Sequence, residues 1–197
     1  KVDFDFAACG YALCITDTKG SHADLTDDYV SVPEEMNLVA KHFGKSCLRE
    51  VNFIEFYKAI PELRKKCSDR AILRSAHFFS ENERAGLEAA ALSKGSFDEF
   101  LSLVKESGDS SAKWLQNLYS CSKPQEQGIP LALLISEKIL KDKGAVRVHG
   151  GGFAGTIQAF VPLSKCCDYE NAMNELFGDK SCYRLKIRNF GGINIAE

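Results

Sequence analysis

The densest chemistry in the 197-residue sequence lies in Arg147-Val-His-Gly-Gly-Gly-Phe-Ala-Gly155. Gly150, Gly151 and Gly152, with Gly155 close behind, allow positive φ values and a backbone approach that side chains would block. Successive N–H groups in such a loop can form an anion-binding concavity. A glycine-rich turn joining two strands accounts for the same residues with no ligand at all. Both flanks have period two: Val146 and Val148 enclose Arg147, while Ile157, Ala159 and Val161 alternate with Gln158 and Phe160.

Other reactive side chains are sparser. His22 and Asp24 could be written as part of a catalytic dyad, but no matching nucleophile can be named, and a solvated loop histidine is the simpler reading. His77 and Glu81 stand four apart, a spacing that can serve a metal on one helix face. With no third ligand in view, a structural hydrogen bond is favoured and no metal site is assigned. The eight cysteines include no Cys-x-x-Cys pair, and a chain of this size has no need of disulfides, so they are expected to be reduced thiols.

Taken as an ordered set, several stretches resemble the galactokinases, a branch of the GHMP small-molecule kinases. The glycine segment is similar to that family's third motif, in which an arginine-bearing strand runs into Gly-Gly-Gly-Phe-Gly-Gly. Phe153 marks the galactokinase branch, while His149 and Ala154 stand where a Thr or Ser and a glycine are usual. Ala154 implies that only one of the last two positions needs the freedom of glycine. Phe43-Gly-Lys-Ser-Cys-Leu-Arg-Glu-Val51 resembles Leu-Gly-x-x-x-Leu-Arg-Glu-Val, and Arg74, His77, Glu81 and Arg84 fall on the pattern Arg-Ala-x-His-Val-x-x-Glu-x-x-Arg. Glu106-Ser107 looks like a Glu-Ser-His with Gly108 at the histidine. Tyr119, Ser122 and Pro124 match a connector that in the family lies against the active cleft. Asp17-Thr18 and Tyr29 resemble the segment whose tyrosine opens a helix beside the sugar, although paired arginines usual after it are absent here.

Composition bounds the rest. Hydrophobic content of 45% is sufficient for a sizeable core. A net charge of −2 and a pI near 6.1 leave no electrostatic footprint for nucleic acid. No apolar run approaches a membrane span, and Lys1-Val-Asp-Phe-Asp-Phe6 lacks the core of a secretion signal, so no membrane partner is expected and a cytoplasmic location is. The chain opens without Met and directly in an alternating pattern, as a domain excised from a longer protein would.

The elements that must position these residues follow from periodicity. Residues 3–17 predict a hairpin or bent pair of strands turning at Gly10. Met36, Val39, Ala40 and Phe43 predict a helix with Pro33 in its first turn and Gly44 at its end. A long helix is expected from about Ser68, with Ile72, Ala76, Phe79, Leu87 and Ala90 on one face and Gly95 at its end. Ser96-Phe-Asp-Glu99 reads as a capping box opening an antiparallel partner helix along Phe97, Phe100, Leu101 and Val104, and the resemblance implies a further helix over Ser110 to Leu118 through Trp114. Leu131, Leu134, Ile135 and Ile139 predict another helix, ending at Gly144. Residues 164–177 predict one with Tyr169, Ala172, Met173 and Leu176 on one side. Tyr183, Leu185 and Ile187, then Ile193-Asn-Ile195, read as strands. The sum is α+β: an antiparallel sheet with helices packed on one face, the sandwich expected of a GHMP kinase carboxy-terminal domain.

The resemblance implies a domain spanning residues 1–197 of a two-domain, ATP- and Mg²⁺-dependent galactokinase. In that reading Tyr29 lies near the sugar, and His149, Gly150, Gly151, Gly152, Phe153, Ala154 and Gly155 line the phosphate side. The family's sugar signature and its Gly-Leu-Ser-Ser-Ser-Ala loop occur nowhere here. No catalytic residue is therefore assigned to this chain, and most ATP, Mg²⁺ and sugar contacts are expected from a missing amino-terminal domain of similar size. A non-catalytic galactokinase-like sugar sensor or regulator, and an unrelated ligand-binding α+β module, remain alternatives.

Overall fold

A computed structural model describes residues 2, 4–6, 8–21 and 23–186. Its sheet has four antiparallel strands, β1 (Tyr11–Asp17), β2 (Ala145–Val148), β3 (Thr156–Pro162) and β4 (Cys182–Leu185), in the order β2-β3-β1-β4. Six α-helices accompany it among the described residues: α1 (Thr26–His42), α2 (Phe53–Leu63), α3 (Asp69–Ser93), α4 (Phe97–Ser110), α5 (Gly128–Leu140) and α6 (Cys166–Phe177). The α+β class expected from the sequence is the one observed. No helix among the described residues is long and apolar enough to cross a membrane.

The alternation along the strands decides which face is covered. Cys14, Val148, Ile157, Ala159 and Val161 are buried in one core with Ile129, Ala132 and Leu140 of α5 and Cys166, Tyr169 and Met173 of α6. On the other face, Phe160 and Ala145 meet Phe97, Phe100 and Val104 of α4, together with Phe4 and Phe6. Farther along that face Tyr183 and Leu185 are about half exposed. The predicted first strand is therefore corrected: among the described residues, Phe4 and Asp5 are not in a strand, and Phe6 and residues 8–10 lie in a turn held by Tyr11 N–H on the Phe6 carbonyl, with the Phe6 ring 5.3 Å from that of Phe160. Stacking against α4 and the sheet face, rather than strand pairing, uses that apolar alternation.

A third core joins α1, α2 and α3 through Val39, Ala40, Phe56, Leu63, Ala71 and Phe79. The helix starting at Asp69 is capped by Ser68, whose hydroxyl accepts from Ala71 N–H, as its sequence predicts. Gly95, at φ +71°, follows its end. Helix α4 opens at the predicted place, but Ser96 makes no side-chain cap, so the capping box is not formed. The long α3 and α4 run antiparallel, with His77 beside Ser110 and Glu81 beside Ser107. Gly108 lets α4 touch the sheet edge: a Cβ there would lie 3.2 Å from the Val146 carbonyl oxygen.

Three expectations shift. Helix α1 begins at Thr26, so Pro33 lies inside it instead of in its first turn, where it cannot donate the usual i→i−4 bond. Helix α2, capped by the Asn52 side chain, carries no sequence expectation, although Phe53, Phe56, Tyr57, Ile60 and Leu63 fall at helical spacing and Phe56 and Leu63 are buried. Helix α5 turns Ile129, Ala132, Ser136 and Leu140 inward, leaving Leu131 and Leu134 exposed. Its sequence is apolar all round, and close approach favours the small face, where the Ser136 hydroxyl lies 2.8 Å from that of Tyr169. Leu87 and Leu176 likewise face solvent at the ends of their stripes. Ile187 and the strand expected at 193–195 lie outside the described residues.

All eight cysteines are free thiols. Cys14, Cys166 and Cys182 are buried in the sheet–helix core, and burial raises the Cys166 thiol above its ordinary pKa. An Ellman titration of the native chain should therefore modify exposed Cys9, Cys47, Cys121 and Cys167 rapidly and spare those three. In denaturant without reductant all eight should react, and a smaller total would reveal a disulfide.

Candidate functional site

The glycine segment forms the connection between β2 and β3. Val148 pairs with Ile157, and His149 N–H extends the ladder to the Thr156 carbonyl at 2.9 Å. The chain then turns through Gly150 at φ +71°, Gly152 at +80°, Phe153 at +61° and Gly155 at +93°. Ala154 has no such requirement, so of the last two positions only Gly155 uses the freedom of glycine. A phenylalanine in the left-handed region is costly, and neighbouring structure must hold it there.

Two neighbours do so. Tyr29, in the first turn of α1, donates its hydroxyl to the Gly152 carbonyl at 2.9 Å and meets the Phe153 ring edge-on at 5.5 Å between centroids. Burial, then the Asp28 carboxylate, raises the Tyr29 phenol above its usual pKa, which keeps the donated proton in place at neutral pH. Asn117 grips from the other side. Its backbone carbonyl accepts from Phe153 N–H at 2.5 Å and its amide nitrogen donates to the Gly151 carbonyl at 3.1 Å. Asn117 is 1% exposed, and its amide oxygen has no hydrogen-bond partner among the described residues.

These contacts change the meaning of the glycines. Gly151 is not in the positive-φ region. It is glycine because a Cβ would fall 2.7 Å from the Tyr29 ring. At Gly152 a Cβ would fall 2.1 Å from the Asn117 carbonyl oxygen. Of the three consecutive glycines, Gly150 alone turns with open space around it. At the far end of the loop the Gly155 carbonyl accepts from both the Thr18 N–H and the Thr18 hydroxyl, at 2.8 and 2.7 Å, tying the loop to the exit of β1.

His149 is exposed and shares a 2.9 Å hydrogen bond with the Gln158 side chain across the hairpin, at the strand end rather than within the turn. Phe153 and Ala154 line a cavity of about 350 Å³ together with Thr18, Lys19, Ser120 and Lys123, so the 119–126 connector borders the loop. His22 lies outside the described residues. His77 and Glu81 do not converge on a ligand position. His77 bonds Ser110, and Glu81 takes bonds from Arg84, Ser107 and Arg147. Among the described residues no group of three or more His, Cys, Asp or Glu could hold a metal ion.

Sequence reasoning missed Asn117 and what carries it. Helix α4 runs on into a π-helical turn, Ser111–Leu115, followed by Gln116 in the left-handed region. That sharp exit aims Asn117 at the loop. π-Turns of this kind gather at functional sites, but a single extra residue per turn leaves no periodic trace in sequence.

The antiparallel sheet, the helices packed against it and the glycine hairpin make up an α+β domain. The fold matches Lactococcus lactis galactokinase, solved in complex with galactose, with a TM-score of 0.72 at 20% identity over 90% of this chain and 45% of that one. Sequence gives the particular relatives. Galactokinase of Thermotoga neapolitana is 31% identical over 179 residues, covering 91% of this chain and 45% of its own. That of Actinobacillus pleuropneumoniae serotype 3 is 28% identical over 156 residues, covering 79% and 38%. The chain is homologous to galactokinases, and its sequence and fold are consistent with a galactokinase carboxy-terminal domain. It spans less than half the length of the curated relatives it matches. No family model matches it.

Proposed function

We propose that the chain is the carboxy-terminal domain of an ATP-dependent galactokinase that converts galactose and ATP to galactose 1-phosphate and ADP. The observation that carries this reading is the 2.9 Å bond from the Tyr29 hydroxyl to Gly152. Two stretches 123 positions apart, each resembling a different galactokinase motif, meet in one contact. Tyr29 then borders the sugar, and the turn from His149 to Gly155 lines the phosphate side. Phosphoryl transfer depends on positioning and on neutralising charge. This chain's part is the positioning: a loop pinned by Tyr29, Asn117 and Thr18 loses little freedom when a ligand arrives. Magnesium, the nucleotide contacts and the group that activates the sugar hydroxyl belong to an amino-terminal domain.

The test compares the 197-residue chain with the full-length protein in an ATP-dependent galactose phosphorylation assay, with calorimetric titration of Mg·ATP and of galactose. Turnover is expected only from the full-length protein, with little nucleotide binding by the domain alone. Turnover by the domain alone would place a complete catalytic site within these residues. Galactose binding with no phosphorylation by the full-length protein would overturn the kinase reading in favour of a sugar sensor.

A further inference from the structure

The two residues that hold the glycine loop sit on different elements, and one buried side chain connects those elements. Arg74 of α3 is 1% exposed, the largest fully buried side chain among the described residues. Its Nη1 donates to Ser31 Oγ at 2.9 Å and to Glu35 Oε2 at 3.0 Å, both on α1, the helix that carries Tyr29. Its Nε donates to the Leu115 carbonyl at 3.2 Å, the last residue of the π-helical turn, two positions before Asn117. The planar guanidinium presents Nε–H and Nη1–H in a fixed fork that spans both partners, where a lysine offers one compact ammonium.

Burial lowers the Arg74 pKa from its ordinary value, with Glu35 opposing that shift, so the guanidinium is held at a desolvation cost. The ion pair alone does not account for the cost, because Glu35 already has a partner. Arg70, one turn earlier on α3 and 41% exposed, meets it through Nε at 2.9 Å and Nη2 at 2.7 Å. What Arg74 adds is the reach to Leu115.

We infer that Arg74 is a positioning residue that fixes the Tyr29-bearing helix and the Asn117-bearing turn in one register, so that both close on the glycine loop. It touches no ligand. The inference rests on the kinase reading only for what the loop is used for.

The primary readout is amide exchange in the 197-residue chain, above all at Phe153, whose N–H is held by the Asn117 carbonyl. Arg74→Met keeps an apolar stem in the buried channel and leaves Glu35 paired with Arg70. It should speed Phe153 exchange at least about tenfold, the effect of losing a charge-assisted bond that supports it, while amides of β3 and α6 keep their protection. Trp114, the sole tryptophan, lies in the π-helical turn and should change its emission. Arg74→Lys restores a charge opposite Glu35 but cannot span to Leu115, so it should not restore Phe153 protection. Arg70→Gln, which removes a Glu35 ion pair without touching the turn, should leave Phe153 as in the wild type. Unchanged Phe153 exchange in Arg74→Met would overturn the inference. So would a uniform loss of protection across the chain, or full rescue by lysine, since either marks a merely structural charge pair. In the full-length protein Arg74→Met should lower kcat/KM for galactose at least about tenfold with Arg70→Gln near wild type. Absence of any phosphorylation by the full-length wild type would overturn the kinase reading instead, and the exchange result would still decide the role of Arg74.

Discussion

Gly152→Ala should destabilise the chain by roughly 3 kcal/mol or more, several times the cost of the same substitution two residues earlier. The new Cβ would lie 2.1 Å from the Asn117 carbonyl oxygen and 2.5 Å from its amide nitrogen. Neither atom can retreat cheaply. The carbonyl accepts from Phe153, the amide donates to Gly151, and the side chain is buried behind a turn that Arg74 anchors. The backbone is also at φ +80°, which alanine resists. Gly150 isolates that second effect, because it has φ +71° with nothing within 4 Å of a built Cβ. Gly150→Ala should therefore cost only about 1 kcal/mol. Urea unfolding of both variants measures the difference. Equal midpoints would mean that the loop can move away from Asn117, contrary to the packing described above.

How far the sequence reveals this arrangement depends on the range of the forces involved. The hairpin around Gly150–Gly155 and the helices at 69–93, 97–110 and 166–177 declare themselves through local periodicity, and local sterics set the glycine turn. Tyr29 was legible only by resemblance; nothing in its neighbours marks it as a partner of Gly152. Pro33 misled because a proline inside a helix is tolerated only where tertiary bonds compensate, and here Glu35 is held by two arginines of α3. Leu131 and Leu134 misled because α5 is apolar on every side, so periodicity could not choose its inner face. Asn117 and Arg74 were least legible as supports of the loop. Each acts through contacts that span 34 to 43 positions, and the π-helical turn that aims Asn117 breaks the helical period. From sequence the glycines fit either an anion-binding concavity or a ligand-free turn. Gly151 and Gly152 also make room for Tyr29 and Asn117.

The second large effect is a loss of stability toward acid pH that His77→Asn should reduce. His77 is 7% exposed on α3, and its Nδ1 shares a 2.8 Å hydrogen bond with the Ser110 hydroxyl on α4. Burial pushes its pKa down from 6.5 to about 4, with Arg147 and Arg84 acting in the same direction and Glu81 opposing them. The folded pKa thus lies below the unfolded one. Between those two values the unfolded chain binds a proton that the folded chain refuses, so this residue's contribution is full above pH 6.5 and is lost as pH falls toward 4. From the two pKa values the loss is about 2 kcal/mol by pH 5 and approaches roughly 3 kcal/mol near pH 4. Asparagine can present a polar atom near the position of Nδ1 toward Ser110 without titrating. Urea midpoints measured from pH 7.5 to 5 should therefore fall more steeply for the wild type than for His77→Asn, and the two curves should converge toward the acid end. Parallel curves would show that the imidazole takes up its proton inside the fold, with Glu81 outweighing burial and both arginines.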